Sequence, residues 1–400
     1  MTSRRAAARA SSMRMAFVVG VIGLILIELA NIYFIMPMPG SQRMRSIDEA
    51  YLIHSWRWPL RFFFGALVLA GVFSAWRTPG WRKWLVPASL LVVTFVAYAA
   101  NFQMAADHMF RQPSVLNMQP PERNKVAVDR LVVGVAMNGD ARAYPLRFIG
   151  YHHQVRDTVG GKEVLVSYCT VCRTGRVFSP IVHGRPETFR LVGMDHFNAM
   201  FEDKTTKTWW RQANGEGVVG DLKGSKLEEL PSSQVTLGQW LALHPRSLVM
   251  QGDPKFAEEY SKDYAFERGT SRKTLTGTDT LSWRDKSWVV GIKSNGRSKA
   301  YDWNRLRRQR IVNDDVGGTP IVLVLAPDAV SYYAFERPSK QTRFALRRDS
   351  LISFLGDSLI ATGRAYALAG TSNTDTLKAI NASQEFWHSW RTFQPGTERY

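Results

Sequence analysis

The chain has 400 residues, a net charge of +18 and a sequence pI of about 10.0, and 45% of its residues are hydrophobic. That apolar content is enough for a packed core and excludes a disordered chain, and two cysteines are too few for a disulfide scaffold. The basic residues are spread along the chain, with no helix-turn-helix, zinc-finger or RNA-binding signature, so a membrane surface rather than nucleic acid is the expected partner of the charge.

Three apolar runs open the sequence. Residues 15–35 match the length of a bilayer core and contain one acid, Glu28. Residues 61–76 are shorter and span only if their flanks contribute, whereas residues 84–101 span with little tilt. Arg4, Arg5, Arg9 and Arg14 precede the first run as in a signal peptide, but the run is too long for one and no small-residue cleavage pattern follows. Residues 1–104 therefore read as a retained anchor of three transmembrane helices. Trp56, Trp58, Trp76, Trp81 and Trp84 cluster at the run ends, where amphipathic rings favour the interface. The excess of Arg and Lys in the N-terminal tail and in residues 77–83 places the N-terminus in the cytoplasm. Three spans then deliver the rest of the chain to the outer side. Glu28 reads either as a functional intramembrane acid or as a helix-contact residue.

The remainder repeats itself. VVGVAMNGDARAY from Val132 matches VVGIKSNGRSKAY from Val289, and VRDTVGGKEVLV from Val155 matches VNDDVGGTPIVL from Val312, all at an offset of 157 residues without a gap. The expected organisation is a first unit over residues 126–250, a helical linker over 251–282 and a second unit over 283–400. Short β-branched runs read as strands, and Asn138-Gly139, Asn295-Gly296, Gly160-Gly161 and Gly317-Gly318 as tight turns. Helices are expected over 237–243, 254–264 and 383–393. The fold class is α+β and β-rich: three transmembrane helices followed by two duplicated, mainly β units.

Chemistry concentrates in Tyr168-Cys-Thr-Val-Cys-Arg173. Two thiolates at this spacing can hold one soft metal ion, close a disulfide or cycle between states, and the three readings stay open. Arg173 excludes a CxxCH haem attachment, and the turn-and-strand character after Cys172 disfavours a thioredoxin-like helix. With the hairpin turn at 158–161, His152 or His153 falls opposite Ser167 and diagonal to Cys169. Cys169, Cys172 and one histidine then form a candidate site for copper or zinc, with His153, His196 and Met194 as second-tier ligands. In the second unit Gln309, Arg310, Ala326 and Ala329 replace His152, His153, Cys169 and Cys172, so the ligand set reads as an addition to the first copy and the second copy as scaffold. Trp209-Trp210-Arg211-Gln212 with Asn214–Gly217 reads as aromatic core beside a glycine turn, and Asp195, His196, Glu202 and Asp203 as solvated polar residues around a short helix. No catalytic set is assembled, and whether the protein is an enzyme stays open.

These motifs together resemble the bacterial family called domain of unknown function 3179. The resemblance rests on Gly139–Arg147, His152, Asp157–Gly161, Tyr168–Cys172, Trp209–Gly220 and Leu222-Lys-Gly224, and covers about Val126 to the C-terminus. Family members typically carry Trp-His-Glu where this chain has Tyr151-His152-His153, and Cys-Pro-Leu-Cys-Gly at Cys169–Arg173. The matched histidine favours His152 as the principal ligand, and the family implies no activity. The expected protein is anchored in a bacterial inner membrane, with its repeats periplasmic and a Cys/His metal or redox site in the first. Its partners would be the lipid bilayer and an envelope protein. The competing expectation is a non-catalytic interaction module whose cysteines form a structural disulfide.

Overall fold

A computed structural model describes all residues except 1, 262–263, 349, 356–363, 369 and 373–374. The chain forms two compact units. One comprises Met1–Phe110, Phe189–Trp210 and Gly217–Gly224; the other comprises Arg111–Thr188, Arg211–Glu216 and Ser225–Tyr400. The architecture is mixed, with three apolar helices followed by a strand-rich region of several sheets.

In the first unit, helices Thr2–Tyr33 and Ile47–Trp76 are followed by Leu85–Tyr98, which runs on as a wider turn over Ala99–Gln103. Stretches of 26, 30 and 24 residues in them are long and apolar enough to cross a membrane. The middle helix is nearly twice its apolar run because Ile47–Leu60 stay helical and Pro59 is accommodated within the helix. Small residues let the helices approach closely: a methyl group on Gly71 would lie 2.2 Å from the Met13 carbonyl oxygen, and one on Gly23 would overlap the Phe64 ring. Glu28 joins all three helices. Arg61 donates two bonds to its carboxylate, at 2.6 and 2.7 Å, and Asn101 donates a third at 2.9 Å. This satisfies the charge internally, and the helix-contact reading of Glu28 describes its surroundings.

Except for Arg211, the same unit contains a four-stranded sheet in the order Gly217–Val219, Trp209–Arg211, Asn198–Asp203, Phe189–Asp195. It meets the end of the first helix backbone to backbone. Met194 donates its N–H to the Ile35 carbonyl at 2.7 Å, and Gly193 lies so close that a Cβ there would come within 2.4 Å of the same oxygen.

The second unit holds the repeats. A five-stranded sheet runs in the order Met118–Gln119, Leu248–Met250, Asp140–Pro145, Leu131–Met137, Ser233–Thr236, with Leu248–Met250 parallel to Asp140–Pro145. Glu398–Arg399, Arg297–Asp302, Trp288–Ser294 and Ala382–Phe386 reproduce the last four of these strands in the same order. Each sheet is followed by a seven-residue helix, Leu146–His152 or Trp303–Gln309, and by a three-stranded meander: Gln154–Val159, Lys162–Cys169 and Thr174–Phe178, or Ile311–Val316, Thr319–Leu325 and Tyr332–Glu336. Packing repeats with the order. Gly134 and Gly291 lie under the Trp240 and Trp390 rings, where a Cβ would approach to 2.3 and 2.1 Å. The Tyr144 and Tyr301 hydroxyls donate to Asp157 and Asp314 at 2.7 and 3.0 Å.

Local differences from the sequence reading have simple causes. The helices at 146–152 and 303–309 escape periodicity because seven residues, about two turns, are too few to display it. The last helix spans Trp387–Phe393, not 383–393, because Ala382–Phe386 pair with Trp288–Ile292 as a strand. Of the helix expected at 254–264, Pro254–Phe256 and Ala257–Ser261 are helical, Tyr264–Glu267 is helical beyond it, and residues 262–263 lie outside the described residues.

Candidate functional site

Cys169 ends one strand and pairs with Thr174, so Thr170–Arg173 form the turn into the next strand. Arg173 closes the turn at φ +56° and is fully buried. Its guanidinium donates to Gln384 and to the carbonyls of Phe266 and Glu267, and stacks 3.6 Å from the centre of the Trp288 ring. The turn is thereby pinned by the second repeat. Phe386 N–H donates to the Cys172 carbonyl at 2.9 Å, and the Lys286 ammonium to the Val171 carbonyl at 2.7 Å.

Both thiols are completely buried and are not joined as a disulfide. Burial pushes the Cys172 thiol well up, and a hydrogen bond with the Cys169 thiol adds to this; the Ser389 hydroxyl and the Lys286 cation pull the other way. Lys286 is itself pushed down by burial, against the support of the two cysteines. His388 approaches the turn from the last helix, its Nε2 3.3 Å from the Val171 carbonyl and 3.4 Å from Lys286 Nζ. Burial first, then the Lys286 charge, lowers His388 to about 4. The thiol pair thus sits among Lys286, His388 and Ser389, all from the second repeat, which is more than scaffold. Sequence reasoning missed them because they have no counterpart pattern in the first copy and lie more than 110 residues from the cysteines.

The histidines fall elsewhere than the hairpin argument placed them. The strands pair as Gln154↔Ser167 and Val159↔Lys162, with Gly160-Gly161 alone in the turn, so Gln154 faces Ser167. His152 instead ends the helix Leu146–His152. Its Nε2 lies 2.7 Å from the Tyr260 hydroxyl, and its Nδ1 bonds the Arg111 carbonyl. Burial lowers its pKa, so the neutral ring donates from Nδ1 and accepts from Tyr260. His153 is the left-handed residue after that helix, at φ +61°. Its N–H donates to Ile149 and its carbonyl accepts from Tyr168. Arg310 repeats this geometry at φ +64° between Leu306 and Leu325, so position 153 is a helix cap in both copies. Burial lowers His153 to about 4. Met194 and His196 belong to the helical unit, where His196 Nδ1 lies 2.5 Å from Asp195. Among the described residues, no three His, Cys, Asp or Glu side chains are grouped to hold a metal ion.

Trp209 and Trp210 are fully buried core residues, as read. Glu202 and Asp203 are not solvated beside a helix: they lie on a buried strand and accept the two indole N–H groups, each at 2.9 Å.

Comparison with known proteins agrees with the repeat motifs. No curated protein and no solved structure matches the chain. The family described as protein of unknown function DUF3179 has a model that matches residues 112–397, which include both repeats, and the chain belongs to that family.

Proposed function

We propose that this is a membrane-anchored extracytoplasmic protein whose buried Cys169/Cys172 pair binds monovalent copper. The observation that carries the reading is two unlinked, completely buried thiols in mutual hydrogen-bond contact beside the Lys286 cation. Soft thiolates select Cu(I). Zinc would need further protein ligands, and no third grouped side chain supports it among the described residues. Binding releases two thiol protons and leaves a dithiolate–Cu(I) unit of charge −1. The buried Lys286 ammonium offsets that charge where water cannot. His152 is not needed, since Tyr260 and the Arg111 carbonyl already engage both its ring nitrogens. Three apolar helices and the positive-inside rule support an inner-membrane anchor with the repeats on the periplasmic side.

The test is Cu(I) competition with a chromogenic chelator on the reduced full chain in detergent. About one copper per chain is expected, and Cys169→Ser and Cys172→Ser should lose it while still melting cooperatively. Equal copper in wild type and variants would overturn the reading. The proximity of the sulfurs also favours a second reading, a structural disulfide in an interaction module. There, two electrons and two thiol protons pass to an exchanging disulfide, which is reduced to a dithiol. Thiol counting on protein isolated without reductant separates the two: near-zero free thiol with no copper supports the disulfide.

A further inference from the structure

The helical unit contains a cavity of about 680 Å³ that the cysteine chemistry does not use. It lies where the end of the first helix, the first turns of the second and the end of the third come together with the strand sheet. Part of the lining is apolar, from Ile32, Ile35, Met36, Ala100 and Met104. Its charged part is balanced, with Arg57, Arg190 and Lys207 against Asp107, Glu202 and Asp221. Part of this charge is spent internally. Arg190 bonds Glu202 at 2.9 Å and Asp107 at 3.2 Å, and also meets His54 Nε2 at 3.2 Å, while His54 Nδ1 is held by Asn31. Arg57 is half-buried, and its guanidinium is engaged through one nitrogen, by the His54 carbonyl of its own helix. Its remaining donors form a fork suited to a phosphate. Asp221, also on the lining, is exposed, and its carboxylate can receive an amine.

An apolar lining with paired positive and negative groups fits a zwitterionic amphiphile better than a simple anion, because a net-neutral lining gives no excess attraction for negative charge. We propose that this cavity binds the phosphoethanolamine group of an aminophospholipid, with phosphate on Arg57, amine on the acidic side and the glycerol end along Ile32–Met36. The lipid source rests on the reading of the helices as a membrane anchor; the phosphoethanolamine chemistry does not.

Native mass spectrometry of the full chain in detergent, titrated with phosphatidylethanolamine, phosphatidylglycerol or phosphatidylcholine, tests it. Phosphatidylethanolamine should be retained at least fivefold over the other two. Arg57→Gln should lose that preference and Arg57→Lys keep part of it, while Lys83→Gln, at the loop between the second and third helices, changes nothing. Thermal melts identify any variant that fails to fold, in which case competition by free O-phosphoethanolamine against the wild-type lipid adduct decides. Displacement supports headgroup recognition. Binding of free O-phosphoethanolamine without the lipid assigns the same site to a soluble ligand. Retention of all three lipids alike, undisturbed by O-phosphoethanolamine or by Arg57→Gln, overturns the proposal. Alkaline carbonate extraction of membranes tests the anchor separately, so its failure is distinguishable from failure of the site.

Discussion

His388 and Gly238 hold the same place in the two repeats, the second position of a seven-residue helix that follows an edge strand. Their surroundings also correspond. In the second repeat the Phe386 N–H, at the strand–helix junction, donates to the Cys172 carbonyl. In the first, the Thr236 N–H at the equivalent junction donates to Ser331 Oγ at 2.9 Å. Each repeat therefore ties down the turn after the other's central hairpin strand. The donors of the exchange correspond, while the acceptors and the chemistry around them differ. One turn carries Cys169 and Cys172 and receives Lys286, His388 and Ser389; the other carries Ala326 and Ala329 and receives Thr236. Duplication supplies a rigid frame twice, and one of the two crossings has been fitted with a buried thiol pair.

If the frame is equivalent, its most crowded point must fail equally in both halves. Gly134→Ala and Gly291→Ala should each destabilise the full chain by about 3 kcal/mol, because a new methyl overlaps a buried indole that cannot move away. Denaturant unfolding in detergent measures this. A large cost at one glycine and none at the other would break the equivalence.

Acid should load both halves, through different positions of the repeat. His153 and His388 are held near 4 by burial, against about 6.5 in an unfolded chain. Between those values the unfolded chain binds protons that the folded protein refuses. The stabilisation is therefore complete above about pH 6.5 and is lost as pH falls towards 4, by up to about 3 kcal/mol per histidine. The positions equivalent to His153 and His388 in the other copy are Arg310 and Gly238, and burial lowers His152 and His244 as well, so several histidines share the acid response. His388→Gln should flatten part of the slope of stability against pH over that window. An unchanged slope would show that His388 does not titrate as placed.

Smaller effects test the polar pairs. Asp157→Asn removes the charge from the acceptor of Tyr144 and breaks an ion pair with Arg142, and Asp314→Asn does the same to Tyr301 and Lys299. Each should cost about 1–2 kcal/mol in the same unfolding assay, and the two costs should add because the sites share no partner.

How much of this was legible follows the same division. The repeat, its turns and the apolar helices were readable because each rests on local chemistry. Asn138-Gly139 and Gly160-Gly161 must be tight turns since both central residues of each adopt positive φ, and three apolar stretches admit few alternatives. The site was half readable. Cys169 and Cys172 are neighbours in sequence, whereas Lys286 and His388 reach them only through the exchange between repeats, which no local pattern encodes. The histidine pairing failed over one short helix. Leu146–His152 takes up the residues assumed to extend the strand, and Gln154 receives the place given to histidine. The grouping of residues 189–210 with the helices was also hidden, since it depends on contacts such as Met194 with Ile35 across more than 150 residues.

The smallest prediction bears most directly on the asymmetry. Lys286 is a cation that acts on the Cys172 thiol, and its ammonium donates to the carbonyls of Val171 and Leu275. These neutral acceptors hold it beside the thiols. Lys286→Met preserves the stem over the Phe386 ring and removes only the charge. The pH midpoint for alkylation of Cys172, followed by mass spectrometry in a Cys169→Ser background, should rise by about one unit, equivalent to about 1.4 kcal/mol. The direction follows from sign alone: without the ammonium, burial opposes ionisation unaided. A scaffold lysine that merely ties the turn would instead raise alkylation at every pH by loosening burial, leaving the midpoint in place. The two outcomes differ in the shape of the curve, not only in its height. A rise in midpoint would make the second repeat an electrostatic partner of the thiols, which its sequence, stripped of cysteine and of the paired histidines, does not announce.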